Sequence, residues 1–306
     1  MMMLDDFILV ITKRNCVSRV YEIFDPRGLL APLLCRFKID LHELTTRKLD
    51  WDDKIPEDLR QIWKDNFEMI DQISNIRFKR AVIPEDAVGI ELETIDTADA
   101  SQQMVCVAIY VRFPLKSGGY SCQLVFARTK IVAPDTSQPR AELLAALMNA
   151  SSGHVVKISF GDKHKRCWKL TDSQVALHWI RSKRSKLKLG VRNSTIEINR
   201  LSDVQDWRYC ESKDMIADLG TRRGASFDDV GPDSQWINGL NWMSGEESEF
   251  PVWTADELIQ NAEIEQAVKK EMISVPSDHA NVESAFNAIY MPTRKGLKII
   301  TTSLST

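Results

Sequence analysis

The residues best placed to do chemistry are carboxylates at the ends of short apolar runs, and Thr171-Asp172-Ser173 is the clearest case. It follows the strand-like Cys167-Trp168-Lys169-Leu170 and precedes Val175, Ala176, Trp179 and Ile180, which recur at helical spacing. A strand ending in Asp beside a helix start puts that carboxylate at the carboxyl edge of a sheet, where α/β proteins gather reactive groups. The plainer reading is a helix cap, because Asp and Ser both cap N-termini well. Three further carboxylates occupy comparable edges. They are Asp99 in Asp99-Ala100-Ser101, Glu142 in Pro139-Arg140-Ala141-Glu142-Leu143-Leu144, and Asp218 in Ala217-Asp218-Leu219, which leads to Arg222, Arg223 and Gly224.

The elements that must position them follow from periodicity. Residues 12–80 read as mostly helical, with a turn at Asp25-Pro26-Arg27-Gly28 and a resumed apolar pattern over residues 29–44. Pro56-Glu57-Asp58 opens a helix in which Leu59, Ile62, Trp63, Phe67 and Ile70 share one face, so this arm needs something to pack against. Beyond Pro84 the texture changes to strands. Ile90 and Leu92 alternate with Glu91 and Glu93, residues 105–113 form an aromatic and β-branched run, Gly118-Gly119 turns the chain, and residues 121–131 run back.

A helix is expected over residues 142–150, with Leu143, Leu144, Leu147 and Met148 on one face. After a Ser and Gly break, residues 155–160 fit strand or helix equally. The Trp168 strand and its helix to about Lys183 come next, then a helix over residues 191–201, a last strand over 206–210 and a helical turn around Asp218. This order predicts an α/β fold, a mixed five-stranded sheet with flanking helices preceded by a helical arm. The divisions expected are an arm over residues 1–83, the sheet domain over 84–224, and a Trp-containing wrapping segment over 225–306. In that last part Thr254 and Glu257 form a capping-box pattern before Leu258, Ile264 and Val268, so one more helix is expected; from Ser274 no pattern holds, and a mobile tail is expected.

At 306 residues, 43% hydrophobic and 27% charged, the chain can bury a sizeable core. A net charge of −3 argues against a wholly basic nucleic-acid coat, yet residues 157–192 hold eleven Lys or Arg against two acidic residues. Within them Arg181, Lys183, Arg184, Lys186 and Lys188 make either a solvated loop face or a track for phosphates. The six cysteines are scattered without a Cys-x-x-Cys pair or a neighbouring His pair, which argues against a zinc module and fits reduced thiols. No apolar stretch approaches the roughly 18 residues of a membrane span, so an intracellular chain with no signal peptide and no membrane partner is expected.

Taken in order, the four quoted motifs resemble the ribonuclease H-like region of Pao/BEL-type LTR retrotransposon polyproteins. Thr12-Lys13-Arg14, then Ile23-Phe24-Asp25-Pro26-Arg27-Gly28-Leu29-Leu30-Ala31-Pro32 and Leu49-Asp50-Trp51-Asp52-Asp53, resemble the segment joining reverse transcriptase to ribonuclease H in that family. This region is often labelled a Pao retrotransposon peptidase, a name that does not establish peptidase chemistry. The resemblance runs from about Thr12 to Pro251 and implies an internal polyprotein fragment with no polymerase or integrase motif of its own.

It further implies a catalytic metal site of Asp99, Glu142, Asp172 and Asp218, holding two Mg²⁺ with Mn²⁺ as substitute. The implied activity is hydrolysis of RNA in RNA/DNA hybrids, and the implied partners are that hybrid and the reverse-transcriptase domain of the same polyprotein. Two departures stand out: no His lies between Trp207 and Asp218, and Met215-Ile216 replaces the usual Asn-Pro before Ala-Asp. Asp96 competes with Asp99 for the strand position, but the sequence following Asp99 matches the family without a gap and favours Asp99. Asp96 also suggests an aspartic peptidase, because Ile95-Asp96-Thr97-Ala98 imitates an Asp-Thr-Gly loop, although that chemistry needs a second Asp and an all-β fold. A non-catalytic retroelement relic that binds nucleic acid is the third reading.

Overall fold

The computed structural model describes residues 10–182, 186–258 and 262–272. Three helices form the arm: α1 (Lys13–Tyr21), α2 (Ala31–Thr46) and α3 (Glu57–Ile73). Strands β1 (Leu92–Ala100), β2 (Met104–Pro114) and β3 (Tyr120–Ile131) follow, then α4 (Gln138–Phe160), β4 (His164–Thr171), α5 (Gln174–Arg181), α6 (Leu189–Leu201) and β5 (Trp207–Cys210). The remainder holds two single-turn helices, α7 (Phe227–Val230) and α8 (Gln235–Asn238), the short strand β6 (Val252–Trp253) and α9 (Ala262–Lys270).

Among the described residues the sheet has the order β3-β2-β1-β4-β5-β6. β1 runs antiparallel to β2 and parallel to β4, and β4 runs parallel to β5. The expected five strands are thus present with a sixth, the two-residue β6, added antiparallel to β5. Nothing in so short a run marks a strand in the sequence; Trp253 is held there by its ring packing on Tyr209 at 6.0 Å. β1 starts at Leu92, so Ile90 and Glu91 precede the strand, and Ile90 is exposed.

Both faces of the sheet are covered. β2 is buried from Met104 to Phe113, as a near-continuous apolar run requires. On one face lies α4. On the other, Leu33, Phe37, Trp63 and Ile70 of the arm share one apolar core with Ile95, Cys106, Tyr110 and Leu124 of the sheet and with Trp236 and Met243. The apolar face of the arm therefore finds its cover within this chain.

Asp25-Pro26-Arg27-Gly28 is the clasp that fastens the arm. The Asp25 carboxylate accepts the Leu29 and Leu30 N–H groups at 2.9 and 2.8 Å, which fixes the entry to α2. Arg27 donates to the Leu124 and Val125 carbonyls at 2.8 and 3.2 Å, where the β2–β3 register shifts, and the Ala127 N–H donates to the Arg27 carbonyl at 2.7 Å. Gly28 is needed twice, for its φ of +73° and because a Cβ there would overlap the Ala127 carbonyl. Later in the chain the Trp236 indole donates to the Leu29 carbonyl at 2.8 Å and Tyr110 donates to the Trp236 carbonyl at 2.7 Å, so that segment is tied to arm and sheet alike.

Two helices differ from expectation. α4 continues through Ser151-Ser152-Gly153 to Phe160, which makes residues 155–160 helical, because packing on the sheet outweighs the low helix propensity of those three residues. Thr254 does donate to Glu257 through its N–H and hydroxyl, at 2.6 and 2.7 Å, but that cap closes a turn, and the helix begins at Ala262. The tail expected from Ser274 lies outside the described residues. All six cysteines are free thiols, and no described helix is long and apolar enough to cross a membrane.

Candidate metal centre

β1 and β4 are parallel neighbours, so their carboxyl ends lie side by side. Asp99 stands at the end of β1, and Asp172 follows Thr171, the last residue of β4. α4 returns over this edge and brings Glu142 from its second turn. One carboxylate oxygen from each of Asp99, Glu142 and Asp172 lies within 4.8 Å of the others. The capping role falls to Ser173, whose hydroxyl accepts the Ala176 N–H at 3.2 Å, and Asp172 is left free of it.

Each carboxylate is held through one oxygen by a neutral donor. Thr221 donates to Asp99 Oδ2 at 2.7 Å, Ser212 to Asp172 Oδ2 at 2.7 Å, and the Gln138 amide to Glu142 Oε1 at 2.7 Å and to the Ala100 carbonyl at 2.6 Å. These three partners were not singled out from the sequence. Only Gln138 carries a signal, standing one helical turn before Glu142.

Burial, then the repulsion of Asp172 and Asp218, lifts the Asp99 carboxyl to about 6 against the donation from Thr221. Burial and the charges of Asp172 and Asp99 lift Glu142 to about 9. Asp172 is raised too, chiefly by burial, with the Ser212 hydrogen bond opposing. Among the described residues no Lys or Arg forms an ion pair with any of the three, and Glu142 Oε2 is buried without a hydrogen-bond partner. Carboxylates crowded in this way repel unless a cation or proton sits between them, and three hard oxygen donors suit Mg²⁺. The residues present fit such an ion.

Asp218, on a 3₁₀ turn spanning Ile216–Gly220, lies outside that group of three and pairs with Arg222 at 2.5 Å. Arg223 pairs with the buried Asp40, whose other oxygen accepts the Asn66 amide at 2.8 Å, so this loop is fastened to the arm. Asp96 is elsewhere. It is buried under α4 and bonded to Lys169 Nζ at 2.5 Å, because a spacing of three along a strand turns Asp96 and Asp99 to opposite faces.

Of the basic run, Arg181 pairs with Asp256 at 2.9 Å and Lys188 donates to the Lys270 carbonyl at 2.6 Å. Lys186 is exposed, while Lys183 and Arg184 lie outside the described residues. Trp179 and Trp207 are fully buried core residues.

No curated protein matches the chain. A solved structure titled as the foamy viral protease-reverse transcriptase dRH in complex with ds DNA is similar at 13% identity and a TM-score of 0.33. The match covers 65% of this chain and 34% of that one, so this chain spans about a third of its length. The family model described as Pao retrotransposon-like RNaseH-like domain matches residues 12–173, which include the arm, the parallel strand pair, Asp99, Glu142 and Asp172. More than half of the sequence lies in that match, and the chain belongs to the Pao retrotransposon RNaseH-like domain family.

Proposed function

We propose that this chain is a divalent-metal-dependent hydrolase of the ribonuclease H type that cuts the RNA strand of RNA/DNA hybrids. The observation that carries this reading is the convergence of Asp99, Glu142 and Asp172 at the carboxyl ends of two parallel strands, with Glu142 Oε2 buried and unpartnered. Asp99, Glu142 and Asp172 would hold the ion, and Asp218 would join them by leaving Arg222. When bound, Mg²⁺ lowers the pKa of water and offsets phosphate charge, the two needs of phosphodiester hydrolysis. Thr221, Ser212 and Gln138 fix the carboxylates through one oxygen each, which pre-orients the centre.

The exposed Lys186 supports a phosphate track along Arg181, Lys183, Arg184, Lys186 and Lys188, although Arg181 and Lys188 are already engaged within the chain. The reverse-transcriptase domain of the same polyprotein is the proposed protein partner, meeting the arm on the side of the exposed Tyr21 and Phe24. An aspartic peptidase using Asp96 fits the structure poorly: that carboxylate is neutralised by a buried Lys169 in a mixed α/β fold.

The test is hydrolysis of a labelled hybrid with Mg²⁺, with Mn²⁺ and with chelator. Cutting of the RNA strand alone, dependent on metal and lost in Asp172→Asn, supports the proposal. Cutting that persists in chelator overturns it. Hybrid binding without cutting would return the chain to a nucleic-acid-binding relic.

A further inference from the structure

Three residues back along β1 and β4 and seven residues on along α4, a rise of about 10 Å, lies a second polar trio drawn from the same three elements. In the β1–β4 register Asp96 stands directly opposite Lys169. Asp99 is three residues beyond Asp96, and Asp172 is three residues beyond Lys169. On α4, Asn149 is seven residues beyond Glu142, two turns along the same face. Three strand residues rise about 10 Å. Seven helical residues rise about 10.5 Å. The spacings therefore place both layers at matching levels on all three elements.

The lower layer is bonded together. Lys169 Nζ donates to Asp96 Oδ2 at 2.5 Å and to Asn149 Oδ1 at 3.1 Å, and the Asn149 amide donates to the Asp96 carbonyl at 2.9 Å. Asp96 is 1% exposed and Lys169 3%. Gly153 makes the room, since a Cβ there would overlap both Asp96 Oδ2 and Lys169 Nζ, and a mid-helix glycine is kept despite a cost of about 1 kcal/mol. Stability alone does not account for this arrangement. A buried ion pair seldom outperforms an apolar pair of similar volume, and here Asp96 Oδ1 has no hydrogen-bond partner. Its best-attested use is to fix registry.

We infer that Asp96, Lys169 and Asn149 are positioning residues that lock β1, β4 and α4 in the one register that brings Asp99, Asp172 and Glu142 together. The inference rests on reading those three carboxylates as a metal centre. Slipping β4 by one residue would move Asp172 by about 3.3 Å and turn its side chain to the other face, which a cluster spanning 4.8 Å does not tolerate.

The experiment replaces the whole layer by apolar residues, with Asp96→Val, Lys169→Met and Asn149→Leu combined so that no charge is left unpaired. Two readouts are taken: the Mg²⁺ concentration giving half-maximal thermal stabilisation by the metal alone, and kcat and KM on the hybrid. The expected result is a folded variant with its Mg²⁺ midpoint raised about 10-fold or more and kcat lowered in step, while KM stays within about two-fold. A folded variant with unchanged Mg²⁺ midpoint and kcat overturns the inference. Should the triple variant not fold, Asn149→Ala, which leaves the ion pair in place, is judged by the same split: a several-fold shift supports the inference and none overturns it. A wild type that binds Mg²⁺ yet leaves the hybrid intact defeats the nuclease reading alone, and the midpoint still decides the positioning layer. A wild type indifferent to Mg²⁺ overturns both.

Discussion

Replacing Glu142 by Gln should make the metal-free protein more stable at neutral pH, although it removes a group proposed to be essential. Glu142 titrates at about 9 in the fold against an ordinary 4.5, because it is buried beside Asp172 and Asp99. Between those values the folded chain holds a proton that the unfolded chain has released. Stability from this group is therefore complete below about pH 4.5 and is lost progressively as pH rises toward 9. From pH 4.5 to 7 the loss is 2.5 units at 1.36 kcal/mol each, about 3 kcal/mol. At 2–4 °C per kcal/mol for larger domains, that is on the order of 10 °C in Tm.

Asp99, lifted from 3.8 to about 6, adds a fall in the same direction that is largely complete by pH 6. The assay is thermal melting in chelator from pH 5 to 8, for wild type and Glu142→Gln, repeated with excess Mg²⁺. Wild type should lose stability with rising pH, and Mg²⁺ should restore it. Glu142→Gln should melt higher than wild type at pH 7 in chelator, with a flatter profile and a weaker response to the ion. A variant that melts lower than wild type at pH 7, or keeps the full pH dependence, would refute the electrostatic account of the centre.

Asp99→Asn and Asp172→Asn should each abolish metal-dependent cutting of the hybrid, since an amide keeps the shape but not the charge that holds the ion; a single-turnover assay retaining even a tenth of wild-type rate in either variant would count against their role. Asp96→Asn alone should destabilise by about 3–5 kcal/mol, because it leaves Lys169 charged and buried without its partner, and a melting curve that matches wild type would disprove the pairing. Gly28→Ala should cost at least about 2 kcal/mol in chemical denaturation, through strain at positive φ and collision with the Ala127 carbonyl, while a neutral result would contradict the clasp. Neutralising Lys183, Arg184 and Lys186 together should lower the log–log salt slope of hybrid binding by about 2–3; an unchanged slope would make that run a solvated face.

The sequence by itself set the order of the elements, because hydrophobic spacing and turn residues are local: the stripe of Leu59, Trp63 and Ile70 on α3, the apolar run of β2 and the Gly118-Gly119 turn all read directly. It also placed Asp99 and Asp172 at strand ends, since an acidic residue closing an apolar run is visible without a fold, whereas Glu142, read as a helix start, lies one turn inside α4. The choice of Asp99 over Asp96 came from the family motif that follows Asp99, because strand periodicity says that they face opposite ways but not which face α4 will cover. Nor could local pattern show that Ser173 rather than Asp172 takes the cap, that Asn149 and Gly153 meet an ion pair from two strands, or that Asp218 pairs with Arg222. The helix through Ser151-Ser152-Gly153 and the two-residue β6 exist only because the sheet supplies a surface for them. The ion pair under α4, the length of α4 and the pairing of β6 depend on groups far apart in the chain, and such partners are chosen by packing, which acts only once the elements have come together.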